Sequence, residues 1–195
     1  METAELEAVV ARYRSFLAGS APVFVHRFRQ GRREVDFCIC SGSVHGPLEL
    51  AWLNLRYGIL QFVLALPWSW PKVQAFRLFG ARIGKRVYIS QRVYIDPMYP
   101  ELLTIGDDVL IGLDAKIFFH EITQTAYRVG RVRLQTGCLV GAGSMLRPGI
   151  TIGEGAEVGA LSAVASSVPP HTTVFGVPAR PLNRSSDQPA DDEES

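Results

Sequence analysis

LQTGCLVGAGSMLRPGITIGEGAEVGALSAV, residues 134–164, carries one aliphatic residue every six positions: Leu134, Val140, Leu146, Ile152, Val158 and Val164. Two residues before each stands a second apolar or small residue, namely Val132, Cys138, Ser144, Ile150, Ala156 and Ser162, and glycine often follows, as at Gly141, Gly153 and Gly159. A period of six matches neither the roughly 3.6 of a helix nor the roughly 2 of a plain strand. It matches a chain that makes a short strand and then a corner every six residues, with three sides to a coil. The aliphatic residue then points to the axis, and stacked coils bury one continuous column that a single repeat cannot. Glycine is expected where the corner backbone takes unusual torsions.

The schedule extends backwards. Ile83, Val87, Ile89, Val93 and Ile95 keep it, and after four extra residues it resumes at Ile105, Val109, Ile111, Ala115 and Ile117. From Ile117 to Leu134 there are 17 residues, one short of the 18 of a whole coil, and HEITQTAYRVGR (120–131) has no aliphatic schedule. That segment is expected to leave the coil as a loop, and loops held on a rigid scaffold commonly carry function. DPMYPELLT (96–104) makes a second bulge one coil earlier. A sandwich with chance glycines is the poorer reading, because strand-and-turn chains space their turns irregularly at about 8–12 residues.

Composition narrows the function class. With 195 residues, 47% of them apolar, the chain can bury one substantial core plus an appendage. Lys plus Arg number 20 and Asp plus Glu 19, so no global charge draws it to nucleic acid or to an anionic membrane, which leaves only local charge to do so. Cys38, Cys40 and Cys138 form no disulfide framework and no zinc-finger spacing, which makes a reducing cytoplasm the expected setting. The longest apolar run, YGILQFVLALPW (57–68), is far short of the roughly 20 residues of a spanning helix.

IGDDVLIG (105–112), VGAGSMLRPGITIGEGAEVGALSAV (140–164) and the closing VFGVPAR (174–180) resemble the hexapeptide-repeat acyltransferases, a family that includes galactoside, maltose, serine, xenobiotic and colanic-acid-type acetyltransferases. The resemblance covers residues 79–182. It implies an all-β fold, a left-handed parallel β-helix, assembled as a homotrimer with sites at subunit boundaries and using acetyl-CoA or another acyl-CoA. It also places the family's catalytic histidine in the interrupted segment, which here makes His120 the general base. The residue type suits acyl transfer. As an acceptor hydroxyl or amine attacks a thioester it must lose a proton, and a neutral imidazole, with an unperturbed pKa near 6.5, can take it and return it to the leaving thiolate. Cys138 holds a core position of the repeat and reads as inert packing. For Glu121 two readings stand: a carboxylate that orients an imidazole or contacts substrate, or a solvated loop residue. Asp96, Tyr99 and Glu101 in the earlier bulge are candidates to shape the acceptor site, against the plainer reading of a proline-braced corner.

By family correspondence the coenzyme candidates are Ala142, Ala160, Ser166 and Arg180, the last suited to a CoA phosphate. Many relatives carry Thr-Lys-Asp where this chain has Ala165, Ser166 and Ser167, which removes a lysine contact; Arg147 is either its substitute or a surface charge. No metal is expected. Two rivals use the same scaffold: a non-catalytic trimeric binding protein, and a γ-carbonic-anhydrase-like metalloenzyme, for which His26, His45 and His171 are poorly placed.

Residues 1–78 do not repeat and form a mixed, partly helical extension. ETAELEAVVARYRSFLAG (2–19) reads as an amphipathic helix with Leu6, Val9, Val10, Tyr13, Phe16 and Leu17 on one face. PVFVHRFRQGRREVDFCIC (22–40) suggests a hairpin around Gly31 with a basic patch of Arg27, Arg29, Arg32 and Arg33. Residues 46–80 read as one or two helices rich in Trp52, Trp68 and Trp70. They cap the open end of the coil, or residues 47–78 rest on a membrane surface near a lipid-linked or glycan acceptor. VPPHTTVFGVPARPL (168–182) closes the stack, and NRSSDQPADDEES (183–195) reads as a disordered acidic tail.

Overall fold

The computed structural model describes residues 3–27 and 46–182. The N-terminal amphipathic pattern forms helix α1 (Thr3–Ala18), which buries Val9, Tyr13 and Phe16, and strand β1 (Val23–Arg27) follows. The remainder of the hairpin expected around Gly31, including Arg29, Arg32 and Arg33, lies outside the described residues, as does the acidic tail. The next segment makes two helices, α2 (Pro47–Ala65) and α3 (Ser69–Leu78). Pro47 opens α2, where its missing N–H is no loss. Pro67 ends it: the preceding Leu66 is held extended at φ −68° and ψ 148°.

Each coil has three two- or three-residue strands. The first is β2 (Arg82–Ile83), β3 (Tyr88–Ile89) and β4 (Tyr94–Ile95), and the second is β5 (Leu103–Ile105), β6 (Leu110–Ile111) and β7 (Lys116–Ile117). After β8 (His120–Ile122) and β9 (Ala126–Gly130), the third is β10 (Val132–Leu134), β11 (Leu139–Val140) and β12 (Met145–Leu146). The fourth is β13 (Thr151–Ile152), β14 (Glu157–Val158) and β15 (Ala163–Val164). A last turn adds β16 (Thr173–Phe175), on which β17 (Arg180–Pro181) folds back antiparallel. The chain thus visits three parallel sheets in rotation, β2-β5-β10-β13, β3-β6-β11-β14-β16 and β4-β7-β12-β15. Aliphatic residues of one sheet stack in register: Ile95 pairs with Ile117, and Ile117 with Leu146. This column, with Ile89, Ile111, Val140 and Val158, is fully buried.

The corners correct the expectation about glycine. The residue three before the inward aliphatic takes a left-handed backbone, at Arg86, Arg92, Asp108 and Asp114 in the first two coils and at Gly137, Gly143, Gly149 and Gly155 later. The glycines that follow the aliphatic residues have another reason. A Cβ on Gly141 would sit 2.6 Å from the Ala160 nitrogen of the next coil, and one on Gly153 would sit 2.3 Å from the Pro170 nitrogen. Close stacking of backbones, not torsion, requires glycine there.

The two interruptions also resolve. Leu134 pairs directly with Ile105, so Ile117 to Leu134 is a single side of the coil with 17 − 6 = 11 inserted residues, not a coil one residue short. The insertion is no irregular loop: β8 and β9 pair antiparallel, and β1 adds to the far side of β9 to make the sheet β1-β9-β8. The four extra residues before Ile105 are taken up by a 3₁₀ turn at Pro100–Leu102. Both interruptions leave the coil at the same corner, between the third sheet and the first, one coil apart.

Candidate active site

Because Ile95 and Ile117 are register partners, the residues that leave the coil after each lie one above the other. Asp96 follows Ile95 at once, and His120 opens β8 three residues after Ile117. Asp96 is 1% exposed. Its Oδ1 accepts from the Met98 N–H at 3.0 Å and its Oδ2 from the Phe119 N–H at 3.3 Å, which fixes the carboxylate at both ends. Oδ2 lies 2.5 Å from His120 Nδ1. An ionised carboxylate only accepts hydrogen bonds, so in the neutral ring Nδ1 carries the proton and Nε2 the lone pair.

Two tyrosines frame the imidazole. The Tyr99 ring stands edge-on to it with centroids 5.9 Å apart, and the Tyr127 ring is 6.5 Å away. Both tyrosines are buried, and their hydroxyl oxygens are 3.1 Å apart. Tyr127 comes from β9, so the hairpin and the earlier bulge are joined through the histidine and through this hydroxyl pair. His120 itself is partly exposed, with a quarter of its side chain accessible.

Glu121 turns to a different partner. Arg147 Nε donates to its Oε2 at 2.6 Å and Arg147 Nη2 to its Oε1 at 2.7 Å. This fork-to-fork pair holds the Glu121 carboxyl below the usual carboxylate range. Arg147, read from sequence as a phosphate contact or a surface charge, is therefore engaged with the neighbour of the histidine. Glu101 faces a different partner: Arg56 Nη1 of α2 lies 3.5 Å from its Oε2, and burial pushes its carboxyl up. Arg56 also donates to the Met98 carbonyl at 2.6 Å. Of the three residues assigned to the acceptor site, Asp96 and Tyr99 meet the histidine and Glu101 is tied to α2.

A cavity of about 540 Å³ opens beside the pair. Phe118, Met145, Val164 and Pro178 give it apolar walls, and His120, Glu121 and Arg147 supply its polar groups. Ala142 and Ala160 stand exposed at corners, and their amides donate to no other described residue. Ser166 and Arg180 are exposed as well. None of these four lines the cavity, although Ala165, next to Ser166, does. Cys138 is a buried free thiol, and burial pushes its pKa up to about 12, which leaves it a packing residue. Among the described residues no group of three or more His, Cys, Asp or Glu could hold a metal ion.

Asp96 as the partner of His120, and Tyr127 beside it, escape a reading of the sequence alone. The signal was present: both interruptions begin after residues of equal position in the schedule.

A three-sided repeat coil with a histidine–carboxylate pair at an interrupted corner defines a class of protein, and comparison with known proteins places the chain within it. A family model described as the hexapeptide repeat of succinyl-transferase matches residues 132–160. The protein YvoF of Bacillus subtilis, provisionally named an acetyltransferase, is 32% identical over 123 residues, covering 63% of this chain and 72% of that one. WcaF of Escherichia coli, provisionally named a colanic acid biosynthesis acetyltransferase, is 35% identical over 127 residues, covering 53% of this chain and 69% of that one. A hexapeptide-repeat acetyltransferase of Vibrio cholerae, crystallised with acetyl coenzyme A, superposes with a TM-score of 0.56 at 22% identity, over 73% of this chain and 90% of that one. The chain belongs to the hexapeptide-repeat acyltransferase family.

Proposed function

We propose that the protein is an acetyl-CoA-dependent O- or N-acetyltransferase in which His120 is the general base. The observation that carries this reading is the 2.5 Å contact between His120 Nδ1 and a buried, doubly anchored Asp96, beside an apolar cavity large enough for the end of a pantetheine arm. Bound acetyl-CoA supplies a thioester carbonyl open to attack by a hydroxyl or amine. His120 Nε2 takes the proton of that attacking group and later gives it to the departing thiolate sulfur. Asp96 keeps the ring in the tautomer that can do this and stabilises the imidazolium while it exists.

The reading includes a left-handed coil and a homotrimer, both supported by family membership. Exposed apolar residues on the coils, among them Met145, Leu161 and Val177, support the trimer, and two of these, Met145 and Val177, line the cavity. Residues 79–182 are then the catalytic domain and 1–78 an extension that lends it β1. The coenzyme contacts proposed are the backbone groups of the exposed corner residues Ala142 and Ala160, with Ser166 and Arg180 further along the edge. The acceptor class is a glycan or a small hydroxylated or amino compound, and the setting is the cytoplasm, consistent with the free thiol at Cys138.

The test is release of free thiol from acetyl-CoA against a panel of sugar, amino-acid and glycan acceptors. His120→Ala is expected to lower the turnover rate by about 10²–10⁴-fold while coenzyme binding persists. An alanine variant with the full rate would remove His120 from the role.

A further inference from the structure

Helix α2 has two unlike faces. Leu60 and Leu64 are buried against the rest of the protein, and Arg56 on the same side reaches the Met98 carbonyl. The opposite side presents Leu48, Trp52, Leu55, Ile59 and Phe62, spaced four, three, four and three residues apart, which puts them on one stripe, with Trp52 at its edge, its ring centroid 6.1 Å from that of Phe79. All five are exposed, Leu48 at 87% and Phe62 at 69%. In α3 and the residue before it, Trp68 and Trp70 are exposed at 66% and 71%. A helix that is apolar all round belongs either inside a protein or against lipid, and this one has protein on one side only.

The charge around it distinguishes the occupants. Residues 50–95 contain no Asp or Glu at all and seven Lys and Arg, whereas the whole chain carries 20 basic and 19 acidic residues. Within α2 itself Glu49 and Arg56 cancel, so the positive excess is gathered on α3 and the first coil, on which α3 packs. Lys72 is spent inside, donating to the Ser90 carbonyl at 2.6 Å, and Arg86 and Arg92 pair with Asp108 and Asp114. Arg82 and Lys85 remain exposed on the first coil. A two-fold interface between copies would bring these cations together. An anionic lipid surface would attract them, and its headgroup region is where amphipathic tryptophan rings settle. Among the described residues no helix is long and apolar enough to cross a membrane.

We infer that the outer stripe of α2, with Trp68 and Trp70, docks the protein on the surface of an anionic lipid bilayer, lying in the interface without spanning it. The apolar side chains enter the headgroup boundary and the exposed cations of the first coil face the lipid phosphates. The contact is independent of acyl transfer, since it uses no residue of the histidine site.

All three tryptophans of the chain lie in this region, so intrinsic fluorescence reports on it directly. The full-length protein is mixed with vesicles of phosphatidylcholine alone or doped with phosphatidylglycerol, and binding is read by flotation and by tryptophan emission. The expected result is flotation with the anionic vesicles, a blue shift of emission, and binding that weakens severalfold as salt rises from about 0.1 to about 0.5 M. The double variant Leu55→Glu/Phe62→Glu is expected to lower partitioning at least about tenfold with its thermal unfolding midpoint unchanged, since it changes only exposed positions. Arg82→Glu/Lys85→Glu is expected to lower it about tenfold on anionic vesicles only. A His120→Ala variant should float like the native chain, which separates this result from the assay of catalysis. Absence of flotation with anionic vesicles would overturn the inference. So would unchanged binding of the Leu55→Glu/Phe62→Glu variant, or light scattering showing that this variant has lost subunits, which would assign the stripe to contact between copies.

Discussion

The coils from Leu134 to Val164 and the corner interrupted at 96–102 and 118–131 are built under opposite rules. In the coils every sixth residue enters one buried column, and a fault in any layer is felt by the layers above and below. At the interrupted corner the chain abandons the schedule twice, and the two departures support each other, through Asp96 on His120 and Tyr99 on Tyr127. The coil supplies rigidity through repetition, and the corner, by breaking it, brings a histidine and a buried carboxylate together. The site is therefore not added to the fold at one place. It depends on two departures being stacked.

The contrast can be broken most severely in the column. Leu146→Ala removes a fully buried side chain between two packed layers and should lower stability by about 2–5 kcal/mol, read by denaturant unfolding. Ile122→Ala on the exposed side of the hairpin should change it by less than about 0.5 kcal/mol. Equal losses at the two positions would mean that the hairpin is as integral to the core as the coil. Asp96→Asn tests the stacked corner: turnover is expected to fall about 10²-fold with the KM for acetyl-CoA little changed, because the ring loses its charged partner and one of the two acceptor oxygens becomes an NH₂ donor, while the proposed coenzyme contacts lie elsewhere. A parallel rise in KM would point to collapse of the whole corner. Gly153→Ala places a Cβ 2.3 Å from the next coil and should cost about 1–3 kcal/mol, whereas Gly137→Ala meets no atom within 4 Å and is strained only by its φ of 69°. A small effect is also expected at Glu121→Gln, below about 1 kcal/mol, since Arg147 is part exposed. Its pH dependence has a fixed sign. The folded-state pKa of Glu121 is depressed, so the pair's contribution is present above the ordinary carboxylate range and is lost as pH falls through the folded value. Native and variant unfolding curves should therefore differ at neutral pH and converge in acid.

The column was legible because a six-residue period constrains every layer in the same way; nothing else in the chain needed to be known. Glycines were legible as necessary but not for the right reason, since sequence does not distinguish a left-handed corner from a corner crowded by the next coil. The 17-residue gap misled because counting alone cannot tell a coil one residue short from one side with eleven inserted residues. Only the pairing of Leu134 with Ile105 decides it. The same ambiguity hid Asp96, whose meeting with His120 depends on which layers are neighbours. Glu121 was illegible for a different reason. Its partner Arg147 is 26 positions away on another coil, and neither residue has a sequence signature for the other.

Strand β1 gives the site a history as well as a shape. Val23 pairs with Gly130, which stands 130 − 23 = 107 residues later in the chain. During synthesis the strand that will flank the hairpin is therefore made early and must wait for this partner while the helices and two complete coils are produced. Only when β9 emerges can the two close around Tyr127, so the corner that holds His120 cannot mature before Gly130 has been made, and it does so by a long-range closure of the kind that folds slowly.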